Sequence, residues 1–136
     1  MIGEMQRTTG RVELIEADLT GEIIGAAGSV HRELGPGLLE SAYEQWLAFE
    51  LARRGLVVER QKEIPIMYQG MKIDAGYRID LLVAGSILVE LKAVERFAPV
   101  HEAQVRSYLK LANLRIGFLI NFNVRLLKDG IRRLVL

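Results

Sequence analysis

Residues 87–94 read ILVELKAV, and this run constrains the fold more than any other stretch of the chain. Ile87, Leu88, Val89, Leu91, Ala93 and Val94 are apolar, as in a buried strand. Glu90 and Lys92 interrupt them. A carboxylate or an ammonium in a core is costly unless it is paired, neutralised or bound to a metal. The chain must bury this strand and still give its acid and its base something to meet.

The preceding segment YRIDLLV, residues 77–83, forms a hairpin with it around Ala84-Gly85-Ser86. Side chains alternate across a strand. Ile79, Leu81 and Val83 share one face, and Arg78, Asp80 and Leu82 the other. In the second strand Leu88, Glu90 and Lys92 share a face. A three-residue loop at 84–86 sets Val83 opposite Ile87 and Asp80 opposite Glu90. A two-residue loop would put the two acids on opposite faces. The longer loop is preferred because it gathers the polar residues on one face.

Carboxylates placed directly opposite each other repel. A divalent cation between them turns repulsion into attraction. Hard cations such as Mg²⁺ take one or two carboxylates together with water and phosphate oxygens. Lys92 lies on the face of Glu90, where it could neutralise charge on a phosphoryl group. The plainer alternative is a partly buried ion-pair cluster of Asp80, Glu90 and Lys92 with no chemistry.

The rest of the chain frames this hairpin. DLTGEIIGAAGSVHRELGPG predicts a helix capped by Asp18 or Thr20 and stopped by Gly35-Pro36-Gly37. A second helix runs from about Leu38 to Arg54, with Gly55 after its end. Leu39, Tyr43, Trp46, Leu47, Glu50 and Leu51 form its apolar face, with Glu50 the exception. The two helices make an αα-hairpin. The period then changes to two. LVVERQKEIPIMY is strand-like, with Pro65 marking an edge or a bulge. Tyr68-Gln69-Gly70 is a turn, and MKIDAG a short return strand. PVHEAQVRSYLKLAN is a helix with Pro99 near its start. RIGFLINF and GIRRLVL are the last strands. The order α-α-β-β-β-β-α-β-β predicts an α/β or α+β sandwich around a mixed sheet, in a single domain at 18–136 behind a polar segment at 1–17.

Two further pieces bear on the site. Gln104 and Tyr108 fall on one helical face at i, i+4. Gln orients a water or a phosphate oxygen, and Tyr bonds a phosphate or stacks on a base; equally, Tyr108 packs and Gln104 caps a sheet edge. Glu40, in the first turn of the second helix, either complements the helix dipole or adds a carboxylate to the metal site. His31 and His101 are too far apart in sequence to make a zinc site by spacing.

Composition narrows the classes. The 136 residues hold 18 Lys+Arg and 17 Asp+Glu, a formal net charge of +1. There is no basic tail, so any nucleic-acid contact needs a local groove. Arg53, Arg54, Arg60, Lys62, Arg96, Arg106 and Lys110 are basic residues that could serve, or form a solvated surface. No Cys is present, which excludes disulfides, thiolate metal sites and a Cys nucleophile. MIGEMQRTTGRVELIE carries acids and no apolar h-region, and no apolar run reaches membrane-span length. A cytoplasmic protein with no membrane association is expected. RIGFLINFNVRLL could supply an edge or sheet interface for a homodimer or a protein partner.

LGPGLLESAYEQWLAFELARRGL resembles the GxxExxY family, with Gly37, Glu40 and Tyr43 in place, and this family is grouped with the PD-(D/E)XK nuclease superfamily. Asp80, Glu90-Leu91-Lys92 and Gln104-x-x-x-Tyr108 follow in the same order. The last spacing is similar to the exonuclease-type branch of RecB nuclease domains and lambda exonuclease. The resemblance covers roughly residues 19–121. It implies a restriction-endonuclease-like αβββαβ core. It implies Mg²⁺ or Mn²⁺ held by Asp80, Glu90 and the Leu91 carbonyl, with Glu40 as a helix-borne acid. Lys92 would be the catalytic lysine, and Gln104 and Tyr108 would support the metal site or the nucleic acid backbone. The expected activity is metal-dependent phosphodiester hydrolysis, of DNA in the first instance. The alternative is a catalytically silent module of the same fold that binds nucleic acid or a protein. Ile79, rather than proline, precedes Asp80.

Overall fold

The computed structural model describes residues 2–74 and 76–136, with side chains from Glu16 onward. Helix α1 spans Ile2–Leu34 and helix α2 Glu40–Arg53. Strands β1 (Val58–Glu63), β2 (Ile66–Tyr68), β3 (Met71–Ile73), β4 (Arg78–Val83) and β5 (Ile87–Lys92) follow. Helix α3 (Pro99–Ala112), β6 (Ile116–Asn121), a 3₁₀ turn (Leu127–Gly130) and β7 (Ile131–Val135) complete the order. The expected mixed α+β class holds, but among the described residues five strands rather than four lie between α2 and α3, because the single strand expected through Pro65 divides into β1 and β2.

Boundaries differ where local signals misled. The first helix begins at Ile2 rather than near Asp18. No proline lies upstream, and Glu4, Met5, Gln6, Arg7, Glu13 and Leu14 are good helix formers, so nothing stops the helix before Asp18. Thr20 is therefore internal, and its buried hydroxyl has no hydrogen-bond partner among the described residues. The end of α2 falls as expected. Gly55 takes φ +86°, its N–H bonds the Ala52 carbonyl at 2.9 Å, and the Leu56 N–H reaches the Leu51 carbonyl at 3.1 Å. These are the paired bonds of a Schellman stop.

A five-stranded sheet runs β1-β4-β5-β6-β7, and β2 and β3 form a separate hairpin. Among the described residues only β5 and β6 pair in parallel, joined by α3. β1 and β2 separate at Ile64-Pro65, because proline cannot donate to a ladder. One face of the sheet meets Ile23, Ala27, Leu47 and Leu51 of α1 and α2 through Leu81, Val89, Phe118 and Ile120. The other face meets Val105 and Leu109 of α3 through Leu88, Leu119 and Leu134. β6 is paired on both sides and buried along its length. Its apolar run thus fills the core and is not a free edge, contrary to the interface expected there. Among the described residues no helix is long and apolar enough to cross a membrane.

Close packing fixes the chain after β6. A Cβ at Gly130 would run into the Asn121 carbonyl oxygen, and it would lie 3.0 Å from Val124 Cγ2. Backbone cannot give way as a side chain does. Gly130→Ala is expected to cost about 1–3 kcal/mol, seen as a lower urea midpoint at unchanged m value.

Candidate active site

The site lies where β4 and β5 part. Their ladder pairs Val83 with Ile87, Leu82 with Leu88 and Leu81 with Val89, the register of a three-residue loop. One step further the two acids take over the bonding. Glu90 Oε1 accepts the Asp80 N–H at 2.9 Å, and Asp80 Oδ2 accepts the Leu91 N–H at 2.9 Å. Each carboxylate thus caps the backbone of the other strand. The strict alternation expected for β4 breaks at this point. Leu81 and Val83 pack under α1 and α2, whereas Ile79 packs with the α3 cluster. Substitution of side-chain bonds for the ladder releases the backbone to turn.

Burial sets the electrostatics. Glu90 is 3% exposed. Its carboxyl is pushed up to about 8, first by desolvation and then by the charge of Asp80, while Lys92 acts in the opposite direction. Asp80 is raised by desolvation and further by Glu44; the Leu91 N–H, Gln61 and Lys92 partly counter this. Lys92 is half-buried and forms no ion pair within 4.0 Å among the described residues. Paired acids that resist ionisation are suited to a divalent cation, which would reverse both costs at once. Among the described residues no group of three His, Asp or Glu is gathered as a metal cage. A hard cation held by Asp80 and Glu90 could complete its shell with water or phosphate oxygens, as Mg²⁺ usually does.

Helix α2 brings two acids, of which the sequence reading singled out one. Glu40 is exposed in the first turn. Glu44, one turn on, is only 7% exposed. Glu40, Ser41, Glu44, Gln61 and Asp80 line one cavity of about 180 Å³. Glu44 accepts from Arg60 Nη2 at 2.9 Å and from Gln61 Nε2. Gln61 Nε2 also lies 3.2 Å from Asp80 Oδ1.

The signal for Glu44 was the helical face. The buried side of α2 is Tyr43, Glu44, Leu47, Ala48 and Leu51, which places an acid inside the apolar stripe. The expected face through Leu39, Trp46 and Glu50 is rotated from it. Trp46 is 51% exposed. It lines a groove between α1 and α2 with Phe49, where Arg53 and Arg54 hold the Glu50 carboxyl below its ordinary value.

The spacing Gly37-x-x-Glu40-x-x-Tyr43 has a mechanical reason. The fully buried Tyr43 hydroxyl donates to the Gly35 carbonyl at 2.6 Å and accepts from the Leu38 N–H at 3.1 Å. Gly37 takes φ +102°, which glycine tolerates best. The loop is thereby pinned to the helix it starts, and the first turn presents Glu40.

On α3, Gln104 Nε2 donates to the Tyr108 hydroxyl at 3.0 Å, so the two do share a face. The Tyr108 hydroxyl is raised by burial and then by the charge of Glu90, which places it within electrostatic reach of the acids. His101 is not in the cluster: its Nδ1 accepts the Ala98 N–H at 3.0 Å and ties the start of α3. His31 is buried and bonds the Val124 carbonyl at 2.7 Å. Arg53, Arg54, Arg60 and Lys62 are held in ion pairs with Glu50, Glu22, Glu44 and Glu59. Asn121 bonds both the N–H and the carbonyl of Val94, at 3.1 and 2.8 Å, and so anchors the chain just beyond Lys92.

The family model described as PD-(D/E)XK nuclease superfamily matches residues 17–134. No curated protein and no solved structure matches the chain.

Proposed function

The chain belongs to the PD-(D/E)XK nuclease superfamily, and on that premise we propose that it hydrolyses phosphodiester bonds of nucleic acid, DNA first, with Mg²⁺ or Mn²⁺. What supports the reading is the meeting of Asp80 and Glu90 at the β4–β5 split, with Lys92 on the same strand end. Asp80, Glu90 and the Leu91 carbonyl would hold the cation, and Glu40 would approach from α2. The bound cation supplies Lewis-acid stabilisation of charge building on the phosphoryl oxygens.

Lys92 adds a fixed positive charge beside the scissile phosphate and a proton donor for its oxygens. Gln104 orients a phosphate oxygen, and its bond to Tyr108 keeps the amide in place. We assign the chain to the GxxExxY group and its Gln-x-x-x-Tyr site to the exonuclease-type branch, on the residues named above. A net charge of +1 exerts little general pull on a polyanion. Substrate selection would then fall to a second copy or a protein partner, in a cytoplasmic setting.

The competing reading is a silent module of the same fold that binds nucleic acid or a protein. It draws on the reciprocal caps of Asp80 and Glu90, since those bonds would persist in a remnant. Cleavage of labelled single-stranded and duplex DNA and RNA with Mg²⁺ or Mn²⁺ decides between them. Cleavage is expected, lost with EDTA and reduced about 100-fold or more by Lys92→Ala. A folded wild type that cuts none of these substrates and binds no Mn²⁺ overturns the nuclease reading.

A further inference from the structure

Gln61 departs furthest from its local expectation. It lies inside β1, yet its φ is +52°. A non-glycine residue adopts that left-handed conformation only with backbone strain. The β1–β4 ladder pairs Arg60 with Leu81 and Lys62 with Ile79, and it passes over Gln61 and Asp80 between them. Regular alternation would send Arg60 and Gln61 to opposite faces. Here both side chains reach Glu44. The turned backbone thus brings a neutral amide into a pocket of acids, where Nε2 meets Glu44 Oε1 and lies 3.2 Å from Asp80 Oδ1. The other oxygen of Asp80 takes the Leu91 N–H at 2.9 Å. The Asp80 carboxylate is gripped from both neighbouring strands, β1 on one oxygen and β5 on the other.

We propose that Gln61 is a positioning residue: its amide holds Asp80 in the orientation that a cation requires, and the strained backbone of β1 exists to deliver it. Backbone strain persists where the surrounding structure over-determines it, and such places cluster at functional sites. A neutral donor suits the task. It satisfies two carboxylates without supplying a charge that would compete with the ion. The consequence for cation binding rests on the nuclease reading; the grip on Asp80 does not.

Two substitutions separate reach from backbone. Gln61→Asn keeps an amide and accepts positive φ, but it is one methylene too short to span Glu44 and Asp80. Gln61→Gly accepts positive φ without strain and removes the amide. In cation-free protein, NMR hydrogen exchange of the Leu91 N–H is expected to rise about tenfold in both, relative to amides that exchange by global unfolding. Mn²⁺ affinity by calorimetry is expected to fall by about 10–100-fold. A purely structural role would move the unfolding midpoint and leave Leu91 protection at the wild-type ratio, and that result overturns the proposal. Should the wild type cut no nucleic acid and bind no Mn²⁺, the nuclease reading fails, while Leu91 exchange still decides the role of Gln61.

Discussion

Glu90→Gln is expected to stabilise the cation-free protein and to remove the proposed cleavage activity, two effects of opposite sign from one atom change. The carboxyl of Glu90 is pushed up to about 8 in the fold, whereas an unfolded Glu titrates near 4.5. Between those values the native state binds a proton that the unfolded state has released, so stability falls as pH rises. The contribution is absent below about pH 4.5 and complete above about pH 8. Asp80, also raised, adds to the same slope. Glutamine keeps the oxygen that accepts the Asp80 N–H and replaces a repelling charge with an amide donor. At pH 7.5 the gain is expected to be about 2 kcal/mol, a Tm increase of roughly 6–10 °C. The same change removes a proposed cation ligand, and cleavage should drop by roughly a thousandfold, the rate equivalent of about 4 kcal/mol. Calorimetric melts from pH 5 to pH 9 with EDTA check the first half. A wild-type Tm that is flat across this range, or a glutamine variant less stable than wild type at pH 8, would contradict it. Added Mg²⁺ should flatten the wild-type slope and leave that of the variant unchanged.

Tyr43→Ala is expected to be the most damaging single change in the core. The ring is fully buried and stacks on Phe122 with centroids 4.6 Å apart and an interplanar angle of 11°. Truncation should cost about 3–5 kcal/mol, a large share of the stability of a domain this size. Tyr43→Phe isolates the hydroxyl. It leaves the Gly35 carbonyl and the Leu38 N–H without their partner, at about 1–3 kcal/mol. Urea unfolding measures both. A phenylalanine variant as stable as wild type would show that the hydroxyl does not pin the 35–38 loop.

The pairing of Asp80 with Glu90 was legible because a strand has a period of two and a short loop admits few registers. Choosing the loop that gathered the polar residues chose the correct one. Glu44 was missed through helical geometry. An error in assigning the buried face of α2 moves each residue by a fraction of a turn, enough to exchange Trp46 for Glu44. Gln61 left no trace in the sequence. Positive φ is foreseeable at Gly37 or Gly55, where the residue advertises it, but a glutamine in a strand gives no such sign. Only the packing of Arg60 and Gln61 against one buried acid reveals the turn. The break in alternation at Asp80 was hidden for a related reason, since it comes from side-chain oxygens replacing a ladder that simple alternation assumes is continuous.

The irregular backbone at Gln61 has a second effect, on association between molecules. β1 is an outer strand of the sheet, paired among the described residues with β4 alone, and an outer strand presents unpaired N–H and carbonyl groups to any other chain. A flat strand there would be a template for aggregation. β1 carries Glu59, Arg60, Lys62 and Glu63 around a residue with φ +52°, so its edge is both charged and bent. A residue that favours extended backbone, such as valine at position 61, would straighten the strand and open that edge. Aggregation resistance and the geometry of the acids therefore depend on the same dihedral angle.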